Sequence, residues 1–312
     1  MSEAGSIGII GAGITGLACA AKLAEAGLNP VVIDKGRGIG GRLATRRSES
    51  GLQFDHGAQY LDAATEGFQA VLDEAVNAGK VKVWDIGSPT RYVGIPGMNG
   101  LAKHLGEGLD IRFKTAATGV RDTSGGSTML IDDQALEFEK LVITVPAPQA
   151  LALLPERHTF RSDLLGIEML PCLTLMAAFD GDRSVPFKLR QTDTDVLSSI
   201  ALDSSKPKRP GQTCWVAQAS SAWSIEHLEE PTEHVAELML PLLCDEIGVS
   251  ASTLIHMAAH RWRYAKVSNA LGRPFLHNEY GTLYVGGDWC LGSTVETAWT
   301  SGVAIAKHIL SN

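Results

Sequence analysis

The sequence lacks several features that would settle its class at once. Its five cysteines, Cys19, Cys172, Cys214, Cys244 and Cys290, are widely scattered, and no two stand at a close metal-ligand or redox spacing. A zinc knuckle, a paired-cysteine reductase and a secreted disulfide scaffold are therefore not indicated, and the odd count fits a reducing, cytoplasmic setting. There is no long basic run, and the formal net charge is −8, which argues against nucleic acid or an anionic membrane as a bulk partner. No stretch is long and apolar enough to span a bilayer. The apolar start carries Glu3 where a signal peptide would need positive charge. Repeats and low-complexity tracts are absent, and so is a second dinucleotide fingerprint.

What is present begins at once. Ile7 to Ile10 reads as a short buried strand, followed by Gly11-Ala12-Gly13-Ile14-Thr15-Gly16. A helix is predicted from Leu17 to Ala26, then a strand from Pro30 to Ile33 that ends on Asp34. Strand, glycine turn, helix, strand and acid in this order form a dinucleotide-binding unit. Gly11 permits the tight turn, Gly13 lets a pyrophosphate approach the backbone, and Gly16 lets helix and strand pack closely. Ile14 and Thr15 lead from the turn into that helix, whose free N-terminal N–H groups favour phosphate. Asp34 is placed to accept from ribose hydroxyls. Lys35 to Arg42 continues with Gly40-Gly41-Arg42, a second close backbone approach followed by a planar cationic fork.

Further along, Gln53 to Tyr60 is a distinct polar and aromatic segment. Gly67 to Ala78 has helical spacing, with Phe68, Val71, Leu72, Ala75 and Val76 on one side. Strands are predicted at 81–86, 91–95, 111–113, 118–122, which carries Val120, and 141–145. Ser204 to Gly211 reads as an exposed loop, and a helix is predicted from Pro231 to Ile247. Leu283 to Asp288 reads as a late strand ending on Gly286-Gly287-Asp288. Ser293-Thr294-Val295-Glu296 then has the pattern of a capping box opening a final helix. This segment is expected to return to the first domain.

These motifs, with Phe54-Asp55-His56-Gly57-Ala58-Gln59-Tyr60 and Arg261-Trp262-Arg263-Tyr264-Ala265, resemble those of the renalase family, particularly its bacterial members. The resemblance spans nearly the whole chain. It implies an α/β, two-domain flavoprotein: a Rossmann-like FAD-binding domain with a mixed-sheet substrate domain, like p-hydroxybenzoate hydroxylase. The boundaries expected are 1–58, 97–149 and 279–312 for the first, and 59–96 and 150–278 for the second. It implies noncovalent FAD, held by Gly11, Gly13, Ile14, Thr15, Gly16, Asp34, Lys35, Gly41, Arg42, Val120, Gly287, Asp288, Thr294 and Val295. It implies oxidation of the 2-dihydro and 6-dihydro isomers of NAD(P) by hydride transfer to flavin N5, with O2 returned as H2O2. His56, Gln59, Tyr60, Trp262 and Tyr264 are the expected substrate wall. Two other readings stay open: oxidation of an amine or another small carbon donor, and a flavin-binding sensor with little turnover. Lys266 is not tied to the amine-oxidase lysine by any motif, and Asp288-Trp289-Cys290-Leu291 does not match a covalent-attachment motif.

Overall fold

A computed structural model describes residues 6–132, 134–181 and 185–312; Glu3 lies outside them. The chain opens with β1 (Ile7–Ile10), α1 (Ile14–Glu25) and β2 (Val31–Ile33). A hairpin of β3 (Thr45–Arg47) and β4 (Gln53–Asp55) leads to α2 (Glu66–Asn77) and a second hairpin, β5 (Val81–Trp84) with β6 (Arg91–Gly94). Next come α3 (Gly100–Leu105), β7 (Asp110–Arg112) and a meander of β8 (Gly119–Thr123), β9 (Gly126–Ile131) and β10 (Gln134–Phe138). β11 (Lys140–Ile143), α4 (Ala147–Leu153) and α5 (Arg161–Leu165) lead into β12 (Met169–Phe179). β13 (Leu189–Gln191), β14 (Leu197–Leu202) and β15 (Thr213–Ala219) follow, then α6 (Ser221–Glu226), α7 (Thr232–Ile247) and β16 (Leu254–Val267). β17 (Phe275–His277), β18 (Leu283–Gly286) and α8 (Val295–Ser311) close the chain.

Two large sheets carry the site. The first has the order β17–β18–β11–β1–β2–β7, parallel except for the edge strand β17. Its central strands read Ile-Gly-Ile-Ile, Val-Val-Ile and Lys-Leu-Val-Ile, the near-continuous apolar runs of a sheet covered on both faces. The late strand β18 pairs with β11, so the end of the chain does return to the first sheet. α8 lies against α1 so closely that a Cβ on Gly302 would sit 2.1 Å from the Thr15 carbonyl oxygen.

The second sheet has the order β13–β14–β15–β12–β16, all antiparallel. One face, with Leu173, Leu175, Ala177 and Phe179, packs on Val235, Met239 and Leu243 of α7. The other, with Met176, Ala178, Cys214 and Val216, packs on Leu52 and Phe54 of the β4 hairpin. That face of β16 turns His256, His260 and Trp262 the same way, because side chains alternate along a strand.

Two expectations need correction. Ser204 to Gly211 is not simply an exposed loop: the side chains of Lys206 and Arg209 are 0% and 1% exposed, drawn inward by the buried carboxylates of Asp55 and Asp203. The final helix is capped one residue later than the pattern suggested. Thr294 is the N-cap, and Thr297 completes the capping box. Glu296 instead accepts from the backbone N–H groups of Ala64 and Thr65 at 2.7 and 2.9 Å, fastening α8 to the start of α2.

Candidate active site

The dinucleotide turn has the shape its residues imply. A Cβ on Gly16 would lie 2.0 Å from the Gly11 carbonyl oxygen, so only glycine fits there. Gly11 has a φ of 111°, in the region glycine favours. Gly13 differs: its φ is −77°, and a Cβ there would meet nothing within 4 Å. It is the N-cap of α1 and gives that helix no side-chain cap, so the first N–H groups remain available to an anion. Ile14 and Thr15 are buried beneath it.

The second glycine pair closes on the first. Gly40 N–H donates to the Ala12 carbonyl at 2.9 Å, and a Cβ on Gly41 would lie 3.6 Å from Gly13 Cα. Asp34 accepts from Ala12 N–H and Gly36 N–H, both at 2.6 Å, so its carboxylate also holds both glycine turns in place. Its remaining lone pairs can take ribose hydroxyls. Lys35 is exposed beside it, and Val120 is a core residue packed with Ile10 and Ile33 at the ends of β1 and β2.

Arg42 joins distant parts of the chain. Its guanidinium makes a bidentate pair with Asp288, at 2.7 and 2.6 Å, and also donates to the Ala265 carbonyl at 2.8 Å. Its own carbonyl accepts from Ala58 N–H at 2.9 Å. Gly57 packs so tightly here that a Cβ would lie 1.9 Å from the Arg42 oxygen. The two residues read separately as a cationic fork and a terminal acid therefore form one planar ion pair. Gly287 precedes Asp288, and its N–H donates to Ser301 Oγ of α8 at 3.1 Å. Thr294 and Val295 begin α8. The glycine turns thus form a cradle with uncapped N–H donors at the head of α1 and glycine-lined space, which fits an FAD dinucleotide.

The two segments singled out as substrate wall meet. His56 and Trp262 stack with centroids 5.2 Å apart at 24°, and Trp262 Nε1 donates to the His56 carbonyl at 2.8 Å. His260, which the sequence reading missed, meets His56 edge-on at 4.8 Å and Trp262 at 4.3 Å. Its signal was its place two residues before Trp262 on an alternating strand. His56 Nδ1 is buried without a hydrogen-bond partner among the described residues. Burial, with His260 and Arg46 nearby, pushes the His56 imidazole down to about 4, so it is neutral at pH 7. Burial and Arg46 also lower His260.

The other three wall candidates lie differently. Both ends of the Gln59 amide are engaged: it donates to the Asp55 and Gly57 carbonyls and accepts from Lys206. Tyr60 donates to Gln191 at 3.2 Å, with Arg91 4.2 Å above its ring. Neither Tyr60 nor Tyr264 makes a ring contact with the His56–Trp262 stack among the described residues. Tyr264 falls where the pairing of β16 with β12 shifts register.

Behind the wall sits a buried ion cluster. Lys206 donates to Asp203 at 2.7 Å, and Arg209 donates to Asp55 at 2.6 Å. Burial alone would raise the Asp55 carboxyl, but Lys206 and Arg209 hold it below its ordinary value. Burial raises Asp203 to about 6 against the pull of Lys206. Lys266 is exposed. Cys290 is fully buried, and burial pushes its thiol up to about 12, which leaves it unreactive.

Comparison with known proteins agrees with this geometry. Residues 9–75 match the NAD(P)-binding Rossmann-like domain, and residues 81–310 match the flavin-containing amine oxidoreductases. A candidate protoporphyrinogen oxidase from Exiguobacterium sp. 255-15 superposes with a TM-score of 0.81 at 13% identity, covering 100% of both chains. Putrescine oxidase bound to putrescine superposes with a TM-score of 0.72 at 14% identity, again over 100% of both chains. A variant of that oxidase redesigned in cofactor binding gives 0.77 at 14% identity, over 98% of each. At these identities the likeness shows a shared fold.

Proposed function

The chain belongs to the family of flavin-containing amine oxidoreductases, and from that premise we propose that it is an oxidase of flat dihydronicotinamide donors, the 2-dihydro and 6-dihydro forms of NAD(P). FAD, when bound, would supply the two-electron acceptor, with O2 as the final oxidant. The residues that would hold it are those of the cradle: Gly11, Gly13 and the start of α1 for the pyrophosphate, Asp34 for the ribose, and Asp288 with the start of α8 for the flavin end. The proposed division assigns 1–58, 97–149 and 279–312 to FAD binding and 59–96 with 150–278 to the substrate side. A cytoplasmic setting accords with five free cysteines.

The observation that carries the reading is the neutral wall of His56, His260 and Trp262. A dihydronicotinamide ring carries its own electron push from the ring nitrogen. It needs stacking and position more than a strong base. His56 has a spare buried nitrogen with which to orient a carboxamide. Gln59 holds the Asp55–Gly57 backbone next to His56, and Tyr60 and Tyr264 are kept as candidate contacts for the rest of the donor.

Oxidation of an amine is the second reading, favoured by the family match. Against it, the carboxylate nearest the wall in sequence, Asp55, is committed to Lys206 and Arg209 and so is not free to hold a cationic amine. Trp262→Ala distinguishes a positioning wall from packing. It should leave FAD bound yet slow anaerobic flavin reduction by a dihydronicotinamide on the order of 10²-fold, the usual cost of misplacing reacting atoms by about 1 Å. Unchanged reduction in that variant would remove the wall from the mechanism.

A further inference from the structure

The wall continues along β16 into a second feature that the chemistry at Trp262 does not use. A cavity of about 510 Å³ lies between Arg46, Arg47 and Ser48 of the β3 hairpin and Phe54 with His256. His256 stacks on the buried Phe54 ring at 5.5 Å and 21°. His256, His260 and Trp262 share one face of β16, and six residues of strand span about 20 Å. Arg46, which pairs with Phe54 in the hairpin and lines the cavity with His256, also acts by its charge on His56 and His260. Neither Arg46 nor Arg47 forms an ion pair among the described residues, though most arginines of the chain do. Glu49 is the one acidic residue lining the cavity.

We propose that this cavity is the diphosphate and adenosine subsite for a dinucleotide donor, with Arg46 as the residue that takes the diphosphate. The proposal rests on the reading of the donor given above. The layout matches such a molecule: an aromatic wall at one end, a stacked ring floor at the other, and a free guanidinium whose charge reaches both. Arg46 offers a planar fork for phosphate oxygens, and Ser48 an added hydroxyl. An adenine ring would stack on His256, which burial and Arg46 keep below its ordinary pKa.

The test uses the FAD-loaded enzyme, whose own dinucleotide site is filled, and ADP-ribose as the probe. Calorimetric titration should show binding that weakens with added KCl. Arg46→Glu, on an exposed strand position, should weaken it roughly ten- to a hundred-fold, and Arg46→Lys should keep part of the affinity. Arg46→Glu should lower oxidation of a dihydronicotinamide dinucleotide far more than oxidation of the corresponding riboside, which has no phosphate, so that the preference for the dinucleotide is lost. If ADP-ribose does not bind, or binds Arg46→Glu as well as the parent, the subsite is wrong even where dihydronicotinamides are oxidised. If binding depends on Arg46 while no dihydronicotinamide reduces the flavin, the subsite stands and the donor reading falls.

Discussion

Gly13 and Gly16 show how differently two glycines of one motif behave. At Gly16 a side chain would run into the Gly11 backbone, so substitution breaks the fold. At Gly13 it would enter open space at the head of α1. Gly13→Val should therefore fold with near-parent stability yet purify without FAD; a Gly13→Val protein with stoichiometric FAD would contradict the placement of the cofactor. The sequence made the motif legible because its spacing is local. The two roles were legible with it, and the structure adds what a side chain would meet at each position.

His56 carries a pH signature. Its folded value of about 4 lies below its ordinary 6.5, so between those values the unfolded chain binds more protons and stability rises with pH. Acidification from 6.5 to 4 should cost up to about 3 kcal/mol through this residue. Asp203 works in the opposite sense. Its value is raised from 3.8 to about 6, so its contribution is present at low pH and lost as pH rises through 6. Denaturation curves of His56→Leu and the parent across this range isolate the first effect: the parent's advantage should shrink toward pH 4. A difference that does not change with pH would mean His56 is not held neutral.

At the scale of elements, the chain depends on a clamp between two loops. Asp55 ends β4 and Lys206 follows β14, and they meet at 3.4 Å with both side chains fully buried. Lys206→Met leaves the buried Asp203 carboxylate without its 2.7 Å partner, while Asp55 keeps Arg209, and should cost about 3–5 kcal/mol. Adding Asp203→Asn should recover part of that loss, read from urea midpoints at constant m-value. If the double variant were less stable than the single one, the cluster would not act as a charge-compensated unit. This clamp was illegible in the sequence. Ser-Ser-Lys-Pro-Lys-Arg-Pro-Gly has the composition of a solvated loop, and the carboxylate that buries it lies about 150 residues earlier. The cap of α8 was misread for a similar reason. Glu296 fits a capping box locally, but the unpaired N–H groups of Ala64 and Thr65 take it. The aromatic wall was half legible: His56 and Trp262 stood out by composition, whereas Gln59 is spent on internal hydrogen bonds that only folding reveals.

At the scale of the whole molecule, the first sheet could be read almost strand by strand, because its parallel core strands are apolar runs between recognisable turns. The return of β18 to that sheet followed from its Gly-Gly-Asp ending. The second sheet was harder. β16 is 14 residues long and mixes histidine, arginine and tryptophan, since one face covers α7 and the other lines the site. The two sheets meet through Arg42, which touches Asp288, Ala265 and Ala58 and so ties the cofactor cradle to the substrate wall. That linkage joins the strand bearing Trp262 to the cradle, and under the proposed reading ring placement is the basis of donor selection. The 2-, 4- and 6-dihydro isomers share the same nitrogen push, so only the carbon held toward the flavin can separate them. The direct measurement is anaerobic stopped-flow reduction of the bound flavin by each purified isomer, with a small amine as the comparison. Fast bleaching by the 2- or 6-dihydro form and slow bleaching by the 4-dihydro form and the amine is the result predicted. Fast bleaching by the amine, with none by the 2- or 6-dihydro form, would contradict it.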